Sequence, residues 1–259
     1  IVGNFLGSNA LAAVGSSGSP IFLLIGFSQG IAVGAGVVVS QFLGAKDREG
    51  AHTAVHTSLA LSAILGAILT VCGIAVSRAL LTAMNTPAEV LEDAVLYMRL
   101  YFGGVLFSVV YNMAAGILNA AGNSKRSLLY LGVASITNIV LDLVLIAGCK
   151  MGVAGAAIAT VLAQLISTVG CFLYAFSKYP ELRLHRPDFA ITKNDVTQHI
   201  IQGVPLGLQF SVLSIGIITM QSVIVQFDME AGRIVSSAAQ TGFGAANRLH
   251  MLTMTPLNA

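Results

Sequence analysis

Seven long apolar stretches constrain this chain more than any other feature of its sequence. A transmembrane helix needs about 20 predominantly apolar residues. Backbone polar groups inside lipid must be hydrogen-bonded within the protein, so these stretches predict helices, and none has the alternating pattern of a lipid-facing barrel strand. The predicted spans are residues 10–43, 55–77, 94–118, 127–148, 153–177, 199–226 and 234–258.

The charge content points the same way. Charged residues make up 9% of the chain, against about 25% in a soluble domain, so this chain cannot cover a globule with a hydrated surface. We therefore expect an all-α integral membrane protein, a polytopic helical bundle. The scattered net charge of +2 argues against nucleic acid as a partner. No phosphate-binding loop or nucleophile elbow is present, so we predict neither an enzyme nor a cofactor.

Basic residues on the connections predict the topology. Eight lie on alternate connections and three on the others, and the positive-inside rule places the richer side in the cytoplasm. The eight are Lys46, Arg48, Lys125, Arg126, Lys178, Arg183, Arg186 and Lys193, and the three are Arg78, Lys150 and Arg233. This topology puts Ile1 outside, so we expect at least one earlier span and interpret the chain as an internal portion of a longer multi-pass protein of the plasma (inner) membrane. The connection at 178–198 is the predicted domain boundary.

Asp142 is the clearest candidate functional residue, because it is an acid deep inside a predicted span. A carboxylate at mid-span costs about 2.5–3.5 kcal/mol on insertion scales, so such groups face a bundle interior or a watery cavity. Asn138 lies four residues earlier on the same helix face, and the next span offers Thr160 and Gln164, again four apart. These oxygen-bearing groups suit a proton or a hard cation such as Na⁺. The alternative is an interhelical hydrogen-bond clamp with no transport role.

Other polar and small residues in the spans indicate helix packing first. Lone amides in spans more often join helices than hold a ligand. We nevertheless assign four amides to a candidate substrate cavity, namely Gln29, Asn112, Gln164 and Gln209. Gly26, Gly30 and Gly34, spaced by four, predict a close helix–helix approach. His52 and His56 have a spacing that could hold a metal, but we interpret them as interfacial polar residues. Cys72, Cys149 and Cys171 are interpreted as small hydrophobic residues.

Four stretches of the sequence resemble the multidrug and toxic compound extrusion (MATE) transporters. They are IVGNFLGSNALAAVG at 1–15, GAGVVVSQFLGAKDREGA at 34–51, GILNAAGNSKRS at 116–127 and NIVLDLVLIAGCKMGVAGAAIATVLAQ at 138–164. The last is the most specific, with Asn and Asp four apart, then a Met-Gly-Val-x-Gly-Ala-Ala run and the Thr. The resemblance covers almost the whole chain.

The resemblance implies two six-helix lobes around a central cavity. Residues 1–177 would then be the N-terminal lobe (the end of span one and spans two to six), 178–198 the cytoplasmic inter-lobe loop, and 199–259 the start of the C-terminal lobe with spans seven and eight. In the DinF-like branch, the first-lobe cation site uses an Asp of the first span plus an Asn, an Asp and a Thr. The last three map onto Asn138, Asp142 and Thr160, where Na⁺ is the one metal expected.

The sequence departs from the family pattern in four places. The first-span Asp lies outside the sequence, and the seventh-span stretch GVPLGLQFSVLSIGIITMQSVI carries no acid, which disfavours coupling through the second lobe there. The segment GNSKRS lacks a proline often found after its basic pair. His250 occupies a position where many relatives have an acid. The last two differences bear on substrate range and leave the first-lobe site in place.

The resemblance predicts a secondary active exporter. Such a protein exchanges H⁺ or Na⁺ for amphipathic, often cationic compounds by alternating access, and we expect it to act as a monomer in the bilayer. One alternative is a flippase for lipid-linked saccharides, for which only Arg99 and Arg248 are candidate contacts to lipid phosphate. A second alternative is a receptor or scaffold that transports nothing.

Overall fold

A computed structural model describes residues 1–179 except 85 and 87, then 191–227, 229–230, 233–234 and 246. The described chain is almost entirely helical, and its only strands are a two-residue antiparallel pair, β1 and β2. The elements are α1 (Val2–Leu6), α2 (Ser8–Gly44), α3 (Arg48–Ala83), α4 (Ala88–Gly103), α5 (Val105–Ala120), α6 (Ser124–Asp142), a π-helical segment (Leu143–Gly148), α7 (Gly152–Lys178), α8 (Lys193–Phe227), β1 (Met229–Glu230) and β2 (Arg233–Ile234).

Five helices of the described chain are long and apolar enough to cross a membrane. The helices α4 and α5 are bent by 49° relative to each other, and they count as a sixth span if the pair crosses the membrane as one broken helix. The prediction of a polytopic helical bundle is therefore confirmed, and six of the seven predicted spans correspond to helices. The span predicted at 234–258 lies outside the described residues apart from Ile234 and position 246. The helix α2 continues through Pro20.

The bend between α4 and α5 falls at a glycine pair. Gly103 ends α4 and Gly104 precedes α5. A Cβ atom on Gly104 would overlap the side chain of Val161 on α7, so glycine is needed where the two helices touch. Such breaks are common at pairs of small residues. The sequence predicted one span at 94–118 and did not predict this break.

Large apolar side chains cover much of the outer surface. Val71, Leu128 and Leu173 are about two-thirds exposed, at 69%, 69% and 68%. A soluble protein rarely leaves many such side chains in contact with water. Fully buried residues, among them Val39, Leu81 and Phe102, form the helix–helix core instead. The helices therefore present apolar surface to lipid on the outside.

The basic connections lie together at one end of the bundle. Asn123, between α5 and α6, donates from its Nδ2 to the hydroxyl oxygens of Tyr174 at 3.1 Å and Tyr179 at 2.8 Å, which lie at the end of α7. The Arg126 guanidinium lies 4.9 Å from the centre of the Tyr174 ring. The opposite end holds an exposed ion pair, in which Arg78 of α3 contacts Glu92 of α4 at 2.5 Å. This arrangement is consistent with the topology expected from the positive-inside rule.

Two compact units make up the chain, residues 1–211 and 212–259, and the division falls within α8. The first unit contains α1 to α7, the π-helical segment and the first half of α8. The second contains the rest of α8 and the β1–β2 pair. The lobe boundary expected at 178–198 stays a prediction, and residues 180–190 within it lie outside the described part.

Glycines allow α8 to lie directly against α2. A Cβ atom on Gly30 would overlap the backbone at Gly207, and one on Gly34 would overlap the backbone at Gly203. The close approach predicted from the glycine spacing in α2 is therefore present at Gly30 and Gly34, and its partner is α8.

Gly34→Ala is expected to lower the unfolding temperature of the full-length protein in detergent. The added methyl group has no space against Gly203, and overpacking of this kind costs about 1–3 kcal/mol. Gly18→Ala in the same helix is the matched control, because a Cβ atom on Gly18 meets nothing within 4 Å. Equal unfolding temperatures for the two variants would contradict the α2–α8 contact.

Candidate functional site

Asp142 lies where the regular α-helix ends. It is the last residue of α6, and the next six residues form a π-helical segment in which the Cys149 N–H donates to the Val144 carbonyl at 2.8 Å. Short π-helical segments inside helices occur frequently at functional sites. Asp142 is nearer to Gly148 than to Ser124 in the combined span Ser124–Gly148, and its depth in the membrane stays a prediction.

The Asp142 carboxyl group is incompletely hydrogen-bonded. Its Oδ1 atom is buried and has no hydrogen-bond partner in the structure. Burying a polar atom without a partner costs about 1–3 kcal/mol in proteins. A cation bound to the carboxylate would supply the missing partner, and a proton would remove the buried charge.

The sequence expectation that Asn138 meets Thr160 agrees with the geometry. Asn138 Nδ2, on α6, donates to Thr160 Oγ1, on α7, at 3.2 Å. Thr160 in turn donates to the carbonyl oxygen of Ala156 at 3.0 Å, one turn earlier in its own helix. This pair fixes the two helices one turn from Asp142. Its role in cation coupling stays a prediction.

Tyr97 is a further member that the sequence did not reveal. Its side chain, on α4, lies near the side chains of Thr160 and Asp142. An aromatic residue in an apolar span is usually interpreted as one that packs between helices. No local sequence pattern distinguishes Tyr97 from its neighbours. The contact depends on how α4 lies against α7, which only the tertiary structure determines.

Gln164 adds a second unsatisfied oxygen on α7. Its Oε1 atom is buried and has no hydrogen-bond partner in the structure. Gln164 lies one turn after Thr160 on the same helix face. Because α6 and α7 run antiparallel, Gln164 lies on the opposite side of the Asn138–Thr160 pair from Asp142. Asp142, Asn138 and Thr160 therefore supply the site with a carboxylate, an amide and a hydroxyl. These oxygen donors fit a hard cation, and the carboxylate alone fits a proton.

A separate cavity contains two of the other predicted residues. Gln29 and Asn112 both line a space of about 220 Å³ between α2, α5 and α6. Its other lining side chains are uncharged, and the polar ones among them are Tyr111, Asn119 and Ser127. Gln209 is an exposed residue of α8 and does not line this cavity. The roles assigned to these amides stay predictions.

The histidine pair of α3 packs within the bundle. His56 is fully buried, and its Nδ1 atom lies 2.7 Å from the carbonyl oxygen of His52. The interfacial interpretation of the pair stays a prediction. No group of three or more His, Cys, Asp or Glu side chains suited to a metal ion occurs among the described residues. Arg99 is exposed, and Arg248 and His250 lie outside the described part of the chain.

Known proteins resemble this chain in both sequence and structure. The MatE family profile matches residues 1–144. The probable multidrug resistance protein YpnP of Bacillus subtilis is 30% identical over 260 residues, which cover 100% of this chain and 56% of that protein. The chain thus spans about half the length of the relatives it matches.

Solved structures agree with these matches. A multidrug resistance MATE family transporter of the MOP superfamily in its inward-facing conformation is 29% identical, with a TM-score of 0.84 over 97% of this chain and 56% of that chain. The outward-facing conformation gives a TM-score of 0.86 at 29% identity, over 98% of this chain and 55% of that chain. The fold of this half is therefore similar to both states.

Proposed function

Because this chain belongs to the MatE family, we propose that the protein containing it is a secondary active exporter, exchanging H⁺ or Na⁺ for amphipathic, often cationic compounds by alternating access. The chain is part of a multi-pass membrane protein, and we place it in the plasma membrane, acting as a monomer. The similarity to a probable multidrug resistance protein of Bacillus subtilis supports the substrate class. The two-lobed arrangement would be completed by segments that the matching relatives possess.

The observation that carries the proposal is the unsatisfied Oδ1 atom of Asp142. It lies beside the hydrogen-bonded pair of Asn138 and Thr160, at the start of the π-helical segment. A clamp that only joins helices would use its polar atoms on one another. Here the Asp142 Oδ1 atom, beside the Asn138–Thr160 pair, is left without a donor, which favours a site that binds and releases a cation.

Coupling would follow from different affinities in two conformations. When the site faces outward, Asp142 takes up a proton, or Na⁺ enters among Asn138, Asp142 and Thr160. The resulting change in packing of α6 against α7 weakens the binding of substrate. When the site faces inward, loss of the cation restores the substrate-binding state. A ligand shifts such an equilibrium only by its differential affinity for the two states, and the effect of cation on substrate must equal that of substrate on cation.

The cavity between α2, α5 and α6 is the proposed place for part of the substrate. Its mixture of apolar walls with amide and hydroxyl groups suits an amphipathic compound, because a few polar groups orient a ligand whose surface is mostly apolar. The volume of about 220 Å³ is below the range of about 300–1,000 Å³ that is usual for ligand pockets. The second lobe would therefore supply the rest of the binding surface.

A flippase for lipid-linked saccharides is the main alternative. Recognition of a lipid phosphate favours Arg or Lys in the binding cavity. Neither the amide-lined cavity nor the two cavities between α8 and its neighbours α2 and α3 have a Lys or Arg side chain in their linings. This absence favours the exporter.

Proteoliposomes containing the full-length protein test the proposal. We expect a fluorescent organic cation such as ethidium to accumulate when either an H⁺ or a Na⁺ gradient is imposed, and to equilibrate without accumulation when both gradients are collapsed. A receptor or scaffold predicts no flux in any condition. A flippase predicts that a fluorescent lipid-linked saccharide crosses the bilayer while ethidium does not.

A further inference from the structure

A second buried protonatable group lies far from Asp142, at the contact between α3 and α8. His199 is in the second turn of α8 and is 2% exposed. Its ring borders an apolar cleft of about 180 Å³ formed with Ile31, Leu61 and Val204, among others. Residues 1–211 belong to one compact unit, so this contact lies within that unit.

Both ring nitrogens of His199 face oxygen atoms. The Nδ1 atom lies 2.8 Å from the carbonyl oxygen of Asp195, one turn earlier in α8. The Nε2 atom lies 2.9 Å from Ser58 Oγ and 3.2 Å from the carbonyl oxygen of Ala54, both on α3. The Ser58 hydroxyl also lies 2.7 Å from the Ala54 carbonyl, to which it donates.

These contacts are all favourable at once only if the ring carries two N–H groups. A carbonyl oxygen only accepts, so Nδ1 must donate to Asp195. If Ser58 donates to Ala54, its oxygen is free to accept from Nε2–H, which the positively charged imidazolium provides. In the neutral ring with a proton on Nδ1, Nε2 has a lone pair facing the Ala54 carbonyl. The Ser58 hydroxyl must then turn away from Ala54 to donate to Nε2.

We propose that His199, Ser58 and the Ala54 carbonyl form a proton-binding latch between α3 and α8. Binding of a proton to His199 adds an N–H donor aimed at α3 and tightens the contact. Loss of the proton leaves one weaker hydrogen bond and allows the helix ends to separate. The positive-inside topology places this end of α3 and α8 at the cytoplasm, so the latch acts on the cytoplasmic side of the bundle.

The surroundings of His199 carry few other charges. On its own helix, the Asp195 carboxylate accepts from the Thr192 N–H at 2.9 Å and from the Thr192 hydroxyl at 2.7 Å at the helix start. From α3, the groups at the ring are the uncharged Ala54 and Ser58. The acids beyond them, Asp47 and Glu49, line a cleft shared with Asp195. From α2, the lining group is Ile31.

The role of the latch in transport rests on the proposed exporter function. A protonated latch favours the conformation in which the cytoplasmic ends of α3 and α8 are joined. By linkage, that conformation must bind the proton more tightly than the open one. The latch would therefore make the cytoplasmic gate respond to internal pH independently of the cation at Asp142. This dependence is measurable without substrate and without an ion gradient.

Cross-linking across the latch tests the proposal in the full-length purified protein. Thr53 of α3 and Gln198 of α8 line the same cleft, so both are replaced by Cys in a background without native cysteines. The cross-linking rate with a short bismaleimide is measured between about pH 8 and about pH 4.5, which extends below the range in which histidine ordinarily titrates because burial disfavours a charged ring. Each rate is divided by that of the His199→Gln protein at the same pH, which removes the effect of pH on thiol reactivity.

We expect this ratio to rise on acidification by about fivefold or more, the lower end of usual coupling between linked sites. His199→Gln keeps an N–H donor without titrating, and His199→Leu has no donor. The ratio for His199→Leu should therefore stay low at every pH. His56→Gln is the matched control, because His56 is also buried in α3, and it should keep the response of the parent protein.

The proposal would be overturned if the cross-linking ratio of the parent protein did not change with pH. It would also be overturned if His56→Gln abolished the rise of this ratio on acidification. Thermal unfolding of each variant identifies any that fails to fold, and Ser58→Ala then serves as the second test. Because Ser58→Ala removes only the Oγ acceptor, it should reduce the rise of the cross-linking ratio on acidification by half or more. A protein with this response but no flux would refute the exporter proposal and leave the latch intact.

Discussion

Asp142→Asn is expected to abolish gradient-driven accumulation of an organic cation in proteoliposomes while leaving the protein folded. Each pH unit of gradient is worth about 1.36 kcal/mol per proton, so a gradient of about two units supports about 100-fold accumulation if one proton is exchanged per substrate. An amide of the same shape cannot release a proton and cannot supply a carboxylate to Na⁺. The accumulation ratio should therefore fall to about one, with downhill flux retained.

The control for this prediction is Asp93→Asn. Asp93 is an exposed acid of α4, so the same chemical change there should leave the accumulation ratio at the parental value. Accumulation by Asp142→Asn at the parental level, under either an H⁺ or a Na⁺ gradient, would exclude Asp142 as the coupling group. Loss of accumulation in both variants would show that the effect is not specific to position 142.

Thr160→Val is expected to weaken binding of the coupling cation about fivefold, measured as the cation concentration that gives half-maximal flux. Valine has nearly the same shape as threonine, but it removes the Oγ1 atom that accepts from Asn138 at 3.2 Å. Loss of one such hydrogen bond costs about 1 kcal/mol, and 1.4 kcal/mol corresponds to a factor of ten in affinity. The Asn138 amide would also lose its fixed orientation beside Asp142.

Thr168→Val in the same helix separates this effect from general destabilisation. Thr168 Oγ1 donates to the carbonyl oxygens of Gln164 at 2.7 Å and Phe107 at 3.0 Å, so it too is engaged in helix packing. Both variants should lose similar thermal stability. Only Thr160→Val should raise the cation concentration that gives half-maximal flux. A shift of equal size in Thr168→Val would make the Asn138–Thr160 pair a structural clamp, which was the alternative interpretation from sequence.

The span assignments followed from sequence because lipid imposes one strong rule. Backbone polar groups must pair internally, so an apolar run of sufficient length becomes a helix whatever its neighbours are. The pairing of Asn138 with Thr160 was predictable for a related reason. A spacing of four residues puts side chains on one helix face, and adjacent spans joined by a short connection lie side by side.

The features that the sequence did not reveal depend on how helices lie against one another. Tyr97 lies near the Asp142 site because α4 packs against α7. The π-helical segment after Asp142 has no composition signal in Leu143–Gly148. His199 and Ser58 are 141 residues apart, and no periodicity joins positions at such a distance.

The histidines of α3 illustrate a different limit. His56 is close to the cytoplasmic end of its span, a position that leaves open whether its ring faces water or other helices. In the structure it is fully buried, and its Nδ1 atom lies 2.7 Å from the carbonyl oxygen of His52. Local position along a span therefore does not determine burial.

Release of the coupling cation on substrate binding tests the central claim most directly. Ethidium is added to the purified full-length protein in weakly buffered solution, and in parallel to protein loaded with ²²Na⁺. If Asp142 is the coupling group, the parent protein releases either H⁺ or Na⁺ in proportion to ethidium bound, and Asp142→Asn binds ethidium but releases neither. Equal release from the two proteins would contradict the assignment of Asp142 as the coupling site.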